Sequence, residues 1–215
     1  MKVIILSIIG ISLSVFAKAQ FSGVIKMKAT DHGNSANIEY HIQLPKVALV
    51  VNTPETPIRM IMDKSKGEVI MLTEEGGNKV GVKTKAMQEQ ASNDVEKLEF
   101  TITKESKKIL GYNCLKSVLK QGNEIIEYWS TDELQINFID VFSGMMKFSN
   151  QMKDANDLKI KQYFEKNFPL EIITKDHHGH DNGALVTEIR QGKVNPEMFS
   201  TKGFTITEMD NMFGQ

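Results

Sequence analysis

Apolar and polar side chains alternate with a period of two along most of this chain, and that repeat most narrows what it can fold into. "FSGVIKMKA" (Phe21–Ala29) sets Phe21, Gly23, Ile25 and Met27 against Ser22, Val24, Lys26 and Lys28. This is the pattern of a half-buried strand. "ANIEYHIQLP" repeats it with Ile38, Tyr40, Ile42 and Leu44 on one side, until Pro45 interrupts the ladder as at an edge or bend. "PIRMIMDKSKGEVIMLTEEGGNKVGVK" reads as a meander, with turns at Asp63–Gly67 and at Gly76-Gly77. Thr84–Glu96 shows no clear period and is expected to be a loop or a short exposed helix.

Strands resume at "LEFTITKES" and continue through a hairpin turning at Gln121-Gly122-Asn123. The texture then changes. Val141, Met145, Phe148 and Met152 stand at i, i+4, i+7 and i+11, the stripe of an amphipathic helix, with Asp140 as its expected N-cap. "DLKIKQYFEKNF" extends the helical region. "FPLEIITKDHHGHDNGALVTEIRQGKVNPEMF" closes the chain with two strands around a polar tip and a short tail. Long antiparallel strands with one helical insertion predict a mainly β domain of the α+β type, not a βαβ enzyme fold.

The first nineteen residues, "MKVIILSIIGISLSVFAKA", have the form of a secretory signal. Lys2 is the basic start, Val3–Phe16 the apolar core and Ala17-Lys18-Ala19 the small-x-small cleavage motif. The apolar run of fourteen residues falls short of the roughly 20 that span a bilayer. The expected organisation is a signal peptide over 1–19 and a single domain over 20–215, exported to the periplasm or secreted, with no transmembrane segment in the mature chain.

Without Lys2 and Lys18 the 26 bases fall to 24 against 27 acids, a formal charge of −3. Nothing there would hold a phosphate backbone, so nucleic acid is not an expected partner. The single cysteine, Cys114, cannot form an internal disulfide, and stability must come from packing. In "GYNCLKSV" neither alternate face is purely apolar, so the pattern leaves open which one is buried. No histidine lies in this hairpin to activate a thiolate, and a small buried apolar role is expected for Cys114.

"DHHGHDNG" (Asp176–Gly183) offers His177, His178 and His180 as weak metal candidates, since imidazole and carboxylate suit zinc, nickel or copper. Turn chemistry alone explains the same stretch. The chain has twelve methionines. Flexible thioethers can line a surface that re-packs around varied apolar partners, or simply fill a core. Met60, Met62 and Met71, with Val141, Met145, Phe148 and Met152, are the candidates for an apolar cavity between sheet and helix. No phosphate loop, HExxH, GxSxG or CxxC motif is present, so no catalytic residue and no cofactor are expected.

The pieces Ile109/Leu110-Gly111-Tyr112-Asn113-Cys114-Leu115-Lys116 and Trp129-Ser130-Thr131-Asp132-Glu133-Leu134, with Phe168–Ile172 and Val186–Ile189, resemble an exported bacterial family, domain of unknown function 4412. Its closing motif survives as Phe199 and Gly203-Phe204, without the proline usually found between them. That family is in turn similar to the LolA/LolB-like lipoprotein carriers. The resemblance implies a curved antiparallel sheet or half-barrel, with helices over its concave side and an apolar cavity between. It brings no catalytic residues. The expected function is a non-enzymatic cell-envelope binding protein for a lipid, lipoprotein acyl chain or other apolar ligand. The alternatives are an envelope protein-interaction domain with a filled core and, below it, metal binding at the His-rich tip.

Overall fold

The computed structural model describes residues 20–52, 57–85, 98–142, 155–175 and 181–209. They form an open, curved sheet of twelve strands with two short helices. Six strands run first: β1 (Ser22–Asp31), β2 (Asn34–Gln43), β3 (Lys46–Asn52), β4 (Ile58–Asp63), β5 (Glu68–Glu75) and β6 (Asn78–Lys85). β7 (Leu98–Ile109), β8 (Tyr112–Gln121) and β9 (Glu124–Thr131) form the second meander. The helices α1 (Phe138–Phe142) and α2 (Ala155–Lys166) follow, then β10 (Phe168–Lys175), β11 (Asp181–Gln191) and β12 (Thr205–Glu208).

Across the sheet the order is β12-β6-β5-β4-β3-β2-β1-β11-β10-β9-β8-β7. β11 therefore joins the two meanders, antiparallel to both β1 and β10. Only β12, among the described strands, pairs in parallel, along β6. The turns need left-handed backbone where glycine supplies it cheaply: Gly76 and Gly77 join β5 to β6 at φ 58 and 83. Gly122 does the same between β8 and β9, at the turn the sequence predicts.

Alternation gives the sheet an inner, core-lining face. Ile25, Met27, Tyr40, Ile42, Val47, Leu49 and Met62 are buried in one cluster with Phe100, Leu119, Tyr128 and residues of both helices. The helical insertion begins earlier than the sequence suggested. Asn137 Oδ1 accepts the Asp140 backbone N–H at 3.2 Å, so Asn137 caps α1 and Asp140 lies inside its first turn. Asp140 instead pairs with Lys64 at the β4–β5 turn. α2 ends where the Tyr163 carbonyl accepts from both the backbone and the side chain of Asn167, each at 2.9 Å.

The tail was expected to be merely short. It crosses the outer face of the sheet through a 3-10 turn (Pro196–Phe199) and then adds β12. Met198, Phe199, Phe204 and Ile206 pack there on Ala48, Ile61 and Leu72, a second core cluster. Gly81 has no side chain because none fits: an added Cβ would stand 2.6 Å from both Ile206 Cδ1 and Leu72 Cδ2.

Candidate functional site

One row of side chains crosses the inner face without a break. Ile25 opposes Tyr40, Tyr40 opposes Leu49, Leu49 opposes Met60, Met60 opposes Met71, and Met71 opposes Val82. A parallel row runs from Ile38 through Val51 and Ile58 to Thr73 and Val80. Exposure along both rows is greater on β4–β6 than on β2–β3, with Thr73 and Val82 half-buried among more exposed neighbours. Tyr40 and Leu49 are buried, Met60 and Val51 half-buried, and Ile58, Met71 and Val80 are 36%, 42% and 46% exposed. The result is an apolar apron, continuous with the core and open to solvent at its far end. A surface of this kind is where an apolar partner gains most from leaving water.

At the opposite end the inner face is covered. Ile160, Tyr163 and Phe164 form the i, i+3, i+4 stripe of α2 and are buried. Phe164 meets Tyr128 at 4.9 Å between ring centroids and Phe138 at 5.2 Å, while Tyr163 meets Phe100 at 5.1 Å. Three hydroxyls buried in this half, of Ser117, Ser130 and Tyr163, have no hydrogen-bond partner among the described residues. Burial also pushes the Tyr128 phenol well above its usual range, as it does that of Tyr40.

The methionines divide accordingly. Met62 is core, Met60 packs against the core from its edge, and Met71 stands open. Val141, on α1, is buried in the main cluster. Met145, Phe148 and Met152 lie outside the described residues, as do His177, His178, His180 and the leader segment 1–19. Among the described residues no three His, Cys, Asp or Glu gather closely enough to hold a metal ion. Ile58, Val80 and Val82 were not among the residues singled out from the sequence. Their signal was the alternation itself, since each shares a face with Met60 or Met71.

Cys114 is fully buried and part of the main cluster. Its burial raises the thiol pKa, the opposite of what a nucleophile needs. Alternation was ambiguous here for a structural reason. Along β8 the buried positions change parity, from Cys114 to Ser117 and Leu119. Beside them β7 sets Thr103, Lys104 and Glu105 against Lys116 alone. Trp129, the sole tryptophan, lies under the ammonium of Lys107 at 4.2 Å, and Lys107 pairs with Glu171.

A second concavity, of about 510 Å³, opens on the outer face where the tail crosses β2–β6. Arg59 builds its wall by donating to the Glu197 carbonyl at 2.8 Å and the Ser200 carbonyl at 3.0 Å. Its guanidinium also faces the Phe204 ring at 5.5 Å. Arg59 and Lys79, the latter 3.3 Å from Glu74, are thus already engaged within the protein. His41 lines the same cleft, with Nε2 3.6 Å from Glu39 and Nδ1 without a partner among the described residues. Burial holds its pKa below the ordinary value, against the pull of Glu39.

A family model described as "Domain of unknown function (DUF4412)" matches residues 21–206, nearly the whole chain. The chain belongs to the DUF4412 family. No curated protein matches it. Among solved structures, PNGF-II in the P21 space group is similar at a TM-score of 0.50 and 19% identity, over 89% of this chain and 32% of that one. The C2 form of PNGF-II gives 0.49 and 19%, over 88% and 31%. This DUF4412 chain therefore spans about a third of the length of those structures, and at such identity the likeness in P21 concerns the fold alone. Among the described residues no helix is long and apolar enough to cross a membrane.

Proposed function

We propose that this protein is a non-enzymatic, exported binding module of the cell envelope that holds an apolar ligand, a lipid or lipoprotein acyl chain, against the inner face of its sheet. The observation that carries the reading is the apolar apron. Met60 packs half-buried against the core and Ile58, Met71 and Val80 beside it are exposed, while α2 covers the other half. Apolar burial would supply the affinity, at about 25 cal/mol for each Å² removed from water. The similarity to LolA/LolB-like carriers stated above supports the same class of cargo. The leader's basic start, apolar core and cleavage motif support export.

The test is titration of the purified protein with a fluorescent fatty acid, alongside Met71→Glu. Met71 is exposed, so the charge leaves the fold intact while placing a carboxylate in the apron. The wild type is expected to bind and the variant to lose about tenfold or more in affinity, roughly the 1.4 kcal/mol step of a decade. Absence of saturable binding by the wild type, or equal binding by both, overturns the reading. In that event the envelope-interaction alternative gains, with Leu158 on α2, 54% exposed, as its first surface to mutate.

A further inference from the structure

The export reading places the mature N-terminus at Gln20, and the structure shows what surrounds that residue. Gln20 is exposed and precedes β1. Among the described residues it makes no hydrogen bond or ion pair. Its neighbours are fixed. Phe21 is buried in the main core, and Ser22 is clamped to Gly192, its carbonyl accepting the Gly192 N–H at 2.9 Å and its Oγ donating to the Gly192 carbonyl at 3.2 Å. Gln20 lines one side of an open cleft of about 610 Å³, with Gln43, Gln191 and Lys193 also in its wall. Gln20 is itself exposed, so its carboxamide stands at the surface beside the fixed Phe21 and Ser22.

From this geometry we infer that Gln20 is a modification site: once the leader is removed, its side chain closes on the new terminus as pyroglutamate. The α-amino nitrogen attacks Cδ of the residue's own carboxamide, and a new N–Cδ bond closes a five-membered lactam. The Cδ–Nε2 bond breaks, and Nε2 departs as ammonia, taking a proton from the attacking amine. No oxidant, reductant or second substrate is consumed. The product lacks the α-ammonium, whose ordinary pKa is about 7.7–8.0, so a cation is lost from a cleft that already contains Lys193. A lactam one residue from the buried Phe21 caps the chain against aminopeptidases at the point where the core begins.

The inference rests on the export reading, and one experiment separates the two. The protein is purified from the envelope of the host that naturally makes it. It is measured by intact-mass spectrometry, and its denatured chain is sequenced from the N-terminus. The expected mass is that of Gln20–Gln215 less one ammonia, with sequencing blocked until pyroglutamyl peptidase is added. A Gln20→Ala variant is expected to lose the block and keep the wild-type melting temperature, since the residue is exposed. The full mass of Gln20–Gln215, with a readable Gln-Phe-Ser start, overturns the modification and leaves export standing. A mass that retains leader residues overturns the modification together with the cleavage at Gln20 on which it rests.

Discussion

Over β7–β10 the inner face of the sheet meets α2, and Phe100, Tyr128, Phe164 and Phe168 interlock there with almost no exposure. Over β4–β6 the same face carries Met60, half-buried, with Ile58, Met71 and Val80 exposed. The two halves share backbone pairing and alternation, and they differ in side-chain type. Rigid aromatic rings with defined edge-to-face geometry fill the covered half. In the open one two unbranched thioethers, which tolerate many packings, stand beside the aliphatic Ile58 and Val80. Strand pairing by itself thus leaves an apolar face uncommitted. The covering element decides whether it becomes core or surface.

The largest effect that could break this comparison is expected from matched truncations. Phe164→Ala should destabilise the fold by about 3–5 kcal/mol, the range for an aromatic lost from a filled core. Met71→Ala should stay within about 0.5 kcal/mol, as an exposed substitution does. Urea unfolding of both variants measures the gap. Equal losses would mean that the two halves are packed alike.

The outer face provides the next test, because there the tail does for the β3–β6 half what α2 does inside. Gly81→Ala drives a methyl group against Ile206 and Leu72. The overpacking should cost about 1–3 kcal/mol and loosen β12 first. Faster hydrogen exchange at Ile206 and Thr207 than in the wild type, with β8 and β9 unchanged, would localise the damage. Uniform acceleration would show instead that tail and sheet unfold as one unit.

The smallest expected effect concerns His41 beneath that tail. Its folded pKa lies below the unfolded value of about 6.5, so between the two the unfolded chain binds more protons. Stability should therefore fall as pH drops from about 6.5 toward the folded pKa and level off below it. Asp63, whose carboxyl is held below its usual range first by the Ser65 hydroxyl, acts only at more acid pH, around and below its unfolded value of about 3.9. Melting curves of wild type and His41→Gln between these ranges should converge at low pH. Parallel curves would remove His41 as the cause.

Much of this architecture was legible because alternation is a local property. It marked β1, β2, the β4–β6 meander and the β8–β9 hairpin from neighbouring residues alone. Where burial changed parity, as at Cys114 and Ser117, it could not, because the register of pairing with β7 shifts there. The start of α1 was displaced for a similar reason. Asn137 and Asp140 are both competent caps, and the choice fell to Asn137 while Asp140 pairs with Lys64, 76 residues away in sequence. Val141 fitted the helical stripe equally well as core or as ligand contact, and only packing places it in the core.

The sequence by itself determined most of the strands and turns, the family and, where alternation was clean, the face each side chain takes, because backbone pleat and turn chemistry act over a few residues. Tertiary structure alone decided that β11 joins two meanders, that the tail returns to pair in parallel with β6, and which stretch of the inner face stays uncovered. Those outcomes depend on contacts between residues far apart in the chain. Met60 and Met71 have the same local signature as Met62, and only the cover above each separates a core methionine from an exposed one.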